Sequence, residues 1–228
     1  MRKRFFIAGT DTDAGKTLVS AGLLTAANRQ GLRTIGLKPV AAGCERTDAG
    51  LRNADALLLQ QTASVRLSYE QVNPVTLEPA IAPHIAAEQE GRSLSADRLA
   101  AYCRGAMMQP ADLVLVEGAG GWRVPLSPRE SLARLPQLLE LDVILVVGMR
   151  LGCINHAILT AEAIARDGLR LAGWVANRID PDLPFADENR ATLEGLFRAP
   201  LLGSVPWLEY PTPEQVADHI DLQRLWAE

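Results

Sequence analysis

Short apolar runs alternate with helical patterns along almost the whole chain, and that alternation limits the possible folds more than any other feature. Residues 4–8, 34–38, 113–117, 143–148, 171–177 and 201–205 read as strands. Residues 16–30, 54–61, 99–108, 132–139 and 186–197 read as helices between them, and 213–226 as mostly helix. The first helix carries Val19, Leu23, Leu24 and Ala27, and Gly31 stands where helices end. Ile154, Ala157, Ile158, Ala161 and Ala165 make a second helical stripe. The stretch 63–92, interrupted by Pro74, Pro79 and Pro83, reads as loop with a short helix near 85–90. Strands apolar on both faces and separated by helices imply a doubly wound α/β fold, a mostly parallel sheet with helices on both faces. No shift of composition and no Gly/Ser linker divides the chain, so residues 1–228 are expected to form one domain.

Composition narrows the function. Apolar residues make up 48% and charged residues 22%, which suits a substantial core and argues against disorder. The net charge of −4 disfavours nucleic acid as a partner. No stretch approaches the roughly 20 apolar residues of a membrane span, so no membrane association is expected. The apolar run after Arg4 stops at Gly9, too short for a secretory core. Cys44, Cys103 and Cys153 are widely spaced without a CxxC, as in the reduced thiols of a cytoplasmic protein. His84, His156 and His219 show no zinc-type spacing. Of 23 basic residues, 20 are Arg and three are Lys: Lys3, Lys16 and Lys38. A lysine kept in so Arg-rich a chain is a candidate for a site that needs a compact ammonium.

In doubly wound sheets ligands bind beyond the carboxyl ends of the strands. The first strand runs into Gly9-Thr10-Asp11-Thr12-Asp13-Ala14-Gly15-Lys16-Thr17, which then opens the first helix. This is the context of a phosphate-binding loop, with backbone N–H groups and a helix N-terminus facing the anion. Lys16 supplies a point charge to the outer phosphates, and the Thr17 hydroxyl suits Mg²⁺. Gly9 stands one place earlier than in the common pattern, and Thr10 fills the usual place. Glu117 ends a strand and is followed by Gly118-Ala119-Gly120-Gly121. An acid there completes the Mg²⁺ sphere of many phosphate-loop proteins. Lys38 ends the second strand, expected to lie next to the first, so its ammonium is expected in the same crevice. Asp55 starts a helix, where an acid also favours the dipole. Gly152-Cys153-Ile154-Asn155 opens another helix at a strand's carboxyl side, a second potential anion site or an ordinary capped helix. Trp122, Trp174 and Trp207 are core by default.

Together these segments resemble the dethiobiotin synthetase family. The resemblance runs from Phe5 to about Leu208 through GTDTDAGKT, GLKPVAAG, LRNADALLLQ, VNPVTLEPAIAPH, LVEGAGGW, VILVVGMRLGCINHAILTA, LAGWVAN and APLLGSVPWL. The glycine-rich loop is shared by many proteins, whereas the turn from Gly118 to Trp122 and LGCINH are far more specific. The resemblance implies a phosphate-loop NTPase fold and a cytoplasmic homodimer with its substrate near the interface. It implies ATP as co-substrate, Mg²⁺ as cofactor, and the small-molecule substrates 7,8-diaminopelargonate and CO2. A carbamate forms on one nitrogen, ATP phosphorylates it, and the second amine closes the ring and expels phosphate. Lys16 and Lys38 would be the catalytic cations. Thr12, Asp13, Ala14, Gly15, Lys16, Thr17, Leu18, Asp55, Glu117, Asn177, Arg178, Pro206, Trp207 and Leu208 would bind ATP, with Asn177 and Pro206 to Leu208 around the adenine. Thr17, Asp55 and Glu117 would hold the metal. Thr12, Lys38, Ala42, Gly118, Gly152, Cys153, Ile154 and Asn155 would contact the substrate, the last four through its distal carboxylate.

Four positions depart from the family pattern. Asp13 stands where Glu is usual, and Ala42 replaces a Ser that contacts substrate, a loss of about 0.5–1.5 kcal/mol. Arg178 stands where an acid is common, and Asn189 near an expected Tyr. Two other readings remain at the level of sequence. An amide-forming ligase of the cobyric-acid-synthase type has a related loop but carries a glutaminase domain, and nothing after Leu208 is long enough for one. A partitioning or positioning ATPase carries an extra lysine ahead of the main one, where this chain has Asp11. Lys16→Gln and Lys38→Gln are each expected to abolish turnover and leave the fold intact.

Overall fold

The computed structural model describes residues 3–226. Six strands form one parallel sheet: β1 (Lys3–Gly9), β2 (Thr34–Leu37), β3 (Leu113–Glu117), β4 (Asp142–Met149), β5 (Leu171–Arg178) and β6 (Leu201–Val205). Their spatial order is β6-β5-β4-β1-β3-β2. Every neighbouring pair is parallel, with Ile7 of β1 opposite Ile144 on one side and Glu117 on the other. The doubly wound fold read from the sequence is therefore present. The expectation that the first two strands are neighbours is not: β3 lies between β1 and β2, and β2 is the sheet edge. Strand order is a long-range property that hydrophobic runs do not encode.

Side chains alternate across a strand, and here both faces are buried. Phe5 and Ile7 of β1 pack on one face with Val19, Leu23 and Leu24 of helix α1 (Lys16–Arg29) and Leu59 of α2 (Ala54–Thr62). Phe6 and Ala8 belong to the opposite face. The helices read at 54–61 and 186–197 recur within a residue at each end, the latter as Ala186–Leu196. Gly31, at a φ of 76°, ends α1 as its place in the sequence suggests.

The stretch 63–92 is more ordered than read. The short helix read near 85–90 is present as α4 (Pro83–Gln89), begun by Pro83, and α3 (Tyr69–Val72) is a helix that was not expected. Helix α5 (Ala96–Ala106) contains residues 99–106 of the stretch expected to lie in a helix, and it starts at Ala96 because Ser95 caps it by accepting from the Arg98 N–H. Helix α6 (Arg134–Leu139) starts two residues later than read. Helix α7 (Cys153–Arg166) carries the apolar stripe, and α8 (Ala186–Leu196) follows β5. Residues 213–226 are two short helices, α9 (Pro213–Ala217) and α10 (Gln223–Trp226), parted where Ile220 pairs with Gly203 of β6. Two antiparallel hairpins, Glu45–Thr47 with Gly50–Arg52 and Pro125–Ser127 with Glu130–Ser131, had no expected counterpart. Trp122 and Trp174 lie in the core as expected, while Trp207 is 46% exposed.

Candidate active site

The loop between β1 and α1 is held from two strand ends, those of β4 and β5. Thr10 Oγ1 accepts from the Gly148 N–H at 3.2 Å. Asn177, buried at the end of β5, donates from Nδ2 to the Ala14 carbonyl at 2.9 Å. Arg150 forms an ion pair with Asp11, whose other carboxylate oxygen accepts from the Thr12 N–H at 2.8 Å. Gly15 caps α1 at a φ of 85°, and a Cβ there would fall 2.1 Å from Asn177 Nδ2. Both the conformation and the space demand glycine. Asp13 also has a positive φ, 59°. Asp tolerates that region better than most side chains do. No side chain caps α1 and no acid occupies its first turn, so its N-terminal N–H groups and dipole face an incoming anion unopposed.

Lys16 is buried and folds back on the loop, donating to the Asp11 carbonyl at 3.0 Å. Burial, then the nearby charge of Lys38, hold its pKa below the ordinary lysine value. Lys38 is also buried, but among carboxylates. Its Nζ donates to Glu117 Oε1 at 2.6 Å, to Asp55 Oδ2 at 3.0 Å and to the Gly118 carbonyl at 3.4 Å. Burial opposes its charge, and Glu117 and Asp55 outweigh burial, so its pKa is raised. The edge position of β2 does not prevent this. The Lys38 side chain meets Glu117 at the end of β3, the strand that pairs with β2.

Glu117 Oε1 also accepts from the Thr17 hydroxyl at 2.7 Å. Glu117 Oε2 is buried without a hydrogen-bond partner. A buried carboxylate oxygen left open beside a hydroxyl and a second carboxylate is a hard-oxygen donor set. It fits Mg²⁺, which is held by one or two carboxylates and keeps waters and phosphate oxygens as its other ligands.

Lys16, Thr17, Lys38 and Asp55, but not the buried Glu117, line a cavity of about 1040 Å³. Its walls include Thr12, Asp13, Gly15, Lys16, Thr17, Leu18, Lys38, Ala42 and Asp55. Ala80 to Pro83 and the glycine-rich turn with Gly120, Gly121 and Arg123 also line it. Gly118 and Ala14 are buried and do not line it, although the Gly118 carbonyl accepts from Lys38.

Other expected site residues lie elsewhere. Gly152, Cys153, Ile154 and Asn155 open α7 and do not line the cavity. Arg178 and Pro206 line a separate cavity of about 210 Å³ with Asp187, Arg190 and Ser204. Trp207 is exposed, and Leu208 packs partly against the α1 face of the core. Arg178 donates to the carbonyls of Asp180 at 3.2 Å and Pro181 at 2.8 Å. The cation found in place of the usual acid thus shapes its own loop. Asn189 likewise bonds locally, to the Phe185 carbonyl at 3.0 Å.

Some residues that shape the site were missed from sequence. Arg150 had no signal beyond its place after β4. Asp167, after α7, accepts from Trp122 Nε1 at 2.8 Å and pairs with Arg123 at 2.7 Å, tethering the glycine-rich turn. Tyr69 and Asn73 bond to the backbone at Asn53 and Lys38. Ser68-x-x-Gln71 is a capping box, a readable sign that a helix starts at Tyr69. Cys44, Cys103 and Cys153 are free and buried, and burial pushes the Cys103 thiol up to about 12, so Cys103 is no nucleophile.

A parallel sheet, a glycine-rich loop opening α1, a buried lysine on that loop and a strand-end acid bonded to its threonine define a phosphate-loop nucleotide-binding protein. Two solved structures share the fold. The septum site-determining protein MinD of Pyrococcus horikoshii, solved with Mg-ADP, superposes with a TM-score of 0.56 at 18% identity, over 99% of this chain and 89% of that one. The cell division ATPase MinD of Pyrococcus furiosus gives 0.53 at 19%, over 90% and 84%. At such identities the likeness shows the fold alone. The sequence family described as "AAA domain" matches residues 3–215. The ATP-dependent dethiobiotin synthetase BioD of Cellvibrio japonicus is 64% identical over 224 residues, 98% of each chain. That of Pseudomonas aeruginosa strain UCBPP-PA14 is 59% identical over 221 residues, 97% of each. The chain belongs to the ATP-dependent dethiobiotin synthetase family.

Proposed function

We propose that this chain is an ATP-dependent ligase that makes dethiobiotin from 7,8-diaminopelargonate and CO2. The observation that carries the reading is the junction at Glu117. It joins the hydroxyl beside the phosphate loop to the Lys38 ammonium, 2.7 Å and 2.6 Å away. Phosphate chemistry and amine–carbamate chemistry can therefore meet in one cavity.

One amine attacks CO2 and loses a proton, giving a carbamate. A carbamate oxygen takes the γ-phosphoryl group of ATP and ADP leaves. The second amine attacks the carbonyl carbon of the mixed anhydride, phosphate departs with the C–O bonding pair, and the ring nitrogen loses a proton. The anionic stages need fixed positive charge near the reacting atoms. Lys38 is suited to the carbamate, because its raised pKa keeps it an ammonium. Lys16 and the α1 N-terminus are suited to the outer phosphates. Ala14, Gly15 and Leu18 would complete the phosphate cradle, with Thr12 and Asp13 at its rim. Thr17, Asp55 and Glu117 would hold Mg²⁺, whose charge offsets that of the phosphates.

Asn177, Arg178, Pro206, Trp207 and Leu208 would surround the adenine. Ala42 and Gly118 would border the diamine. The distal carboxylate would reach Gly152 to Asn155 of a second copy in a homodimer. Exposed apolar side chains on and beside α7 and α8 support that assembly: Leu151 at 89%, Phe185 at 73%, Leu159 and Leu196. We read residues 1–228 as one cytoplasmic domain without a nucleic-acid partner, in keeping with its acidic charge. Among the described residues no helix is long and apolar enough to cross a membrane. A switch ATPase is disfavoured because Asp11, which stands in place of that class's extra lysine, is paired with Arg150.

The test is phosphate release with Mg-ATP and bicarbonate, with and without the diamine. Release that requires the diamine, matched by ring product in equal amount, is expected. Release without it would overturn the reading in favour of a nucleotide switch.

A further inference from the structure

Lys38 and Asp55 meet at 3.0 Å, yet they come from different elements. Lys38 follows β2, and Asp55 is the second residue of α2. The chain between them runs through the exposed 45–52 hairpin, whose strands bury no residue. Something else must fix the start of α2 against the end of β2. The Tyr69 hydroxyl does so from one side: it accepts from the Asn53 N–H at 2.7 Å and donates to Asn73 Oδ1 at 2.9 Å. Asn73 does so from the other, donating from Nδ2 to the Lys38 carbonyl at 2.6 Å. The Lys38 N–H in turn donates to the Val72 carbonyl at 2.8 Å. Tyr69 and Asn73 are both buried, and the Arg52 guanidinium lies 4.1 Å over the Tyr69 ring. A buried polar network with its groups satisfied is rigid and specifies one arrangement.

We propose that Tyr69 and Asn73 are positioning residues that hold the Lys38 backbone and the N-terminus of α2 in one register, so that the Lys38 ammonium meets both carboxylates. Neither touches the cavity. Their effect on catalysis runs through the placement of Lys38 and Asp55, where a misplacement of about 1 Å is enough to cost about 100-fold in rate. The inference rests on the role given above to Lys38 and Asp55.

Tyr69→Phe keeps the ring under Arg52 and removes only the hydroxyl. Asn73→Asp keeps the acceptor for Tyr69 and removes the donor to Lys38. The chain has three lysines, so lysine labelled at Cε and Nζ gives a spectrum simple enough to follow Lys38 and Lys16 separately. In Tyr69→Phe the Lys38 signals should move while those of Lys16 stay. Turnover per nucleotide-binding site should fall at least tenfold, with the Kd for Mg-ATP unchanged within twofold. Asn73→Asp, where it folds, should do the same.

Ser95→Ala is the control, because it removes the cap of α5 and touches nothing in this network. It should lower Tm and leave turnover per site unchanged. The inference is overturned if Tyr69→Phe leaves the Lys38 signals in place, or if its turnover falls no further than that of Ser95→Ala. Should the wild-type protein release no phosphate with the diamine, the proposed reaction fails, while the lysine spectrum still decides the positioning role.

Discussion

Lys16 and Lys38 are both buried at the carboxyl ends of one sheet, and their surroundings are opposite. Lys16 rests on a carbonyl of its own loop, with no carboxylate in hydrogen-bond contact. Lys38 is bonded to two carboxylates brought from β3 and α2. The loop wall therefore stores positive potential that only an incoming anion satisfies. The other wall is already neutralised within the fold, and an arriving carbamate must compete with Glu117 and Asp55 for its ammonium. The first arrangement favours affinity for phosphates. The second favours placement, since the ammonium is held in position before substrate arrives.

The largest effect expected from this contrast is on Lys38→Gln. Turnover should vanish, and the Glu117 carboxylate left buried without its ammonium should cost about 3–5 kcal/mol in denaturant unfolding. An intact fold, the expectation from sequence alone, no longer follows once the burial of this pair is known. An unchanged unfolding midpoint would break the comparison. Lys16→Gln should also lose turnover, together with Mg-ATP affinity, yet its Tm should stay level or rise, because a cation buried without a carboxylate is removed. A Tm loss as large as that of Lys38→Gln would erase the distinction.

Asn177→Ala should have an intermediate effect. The Ala14 carbonyl loses its buried donor, a cost of about 1–3 kcal/mol, and isothermal titration should show nucleotide binding roughly tenfold weaker, about 1.4 kcal/mol. Turnover at saturating ATP should change less than in either lysine variant.

The smallest effect is on pH dependence. The pKa of Lys16 is lowered in the folded chain, so below the ordinary lysine value the unfolded state binds more protons, and stability rises with pH. The pKa of Lys38 is raised, so its contribution persists through that window and is lost only as pH climbs through the raised value. Unfolding free energies of wild type minus Lys16→Gln should therefore increase with alkaline pH. A falling difference would reverse the assignment of the two environments.

The contrast also explains what could be read in advance. The groups of the loop wall that would face a phosphate lie within residues 9–17, where spacing alone reveals a strand, a turn and a helix start, although the partners that hold the loop are distant in sequence. Strands 113–117 and 201–205 were legible to the residue because apolar runs end there on Glu117 and on Val205 before Pro206. The Lys38 wall depends on partners 17 and 79 positions away and on a strand order that no local pattern carries. Tyr69 and Asn73 looked like loop because three prolines dominate residues 63–92. The capping box at Ser68 is present in the sequence and was not read. Asn177 was read as a base-contacting residue, while its close approach to Gly15 depends on two strand ends and a loop meeting in space.

The strand order has a further consequence, for the chain as it is made. Among the described residues the neighbours of β1 are β3 and β4, and the only neighbour of β2 in the main sheet is β3. During synthesis from the N-terminus, no two strands of the main sheet can pair until residues 113–117 have emerged. The phosphate loop and its lysine are among the first segments translated and among the last to be fixed, since Gly148, Arg150 and Asn177 must arrive to hold them. Until then β1 and β2 are apolar strands with bare edges, the kind of segment that nascent chains must shield from one another.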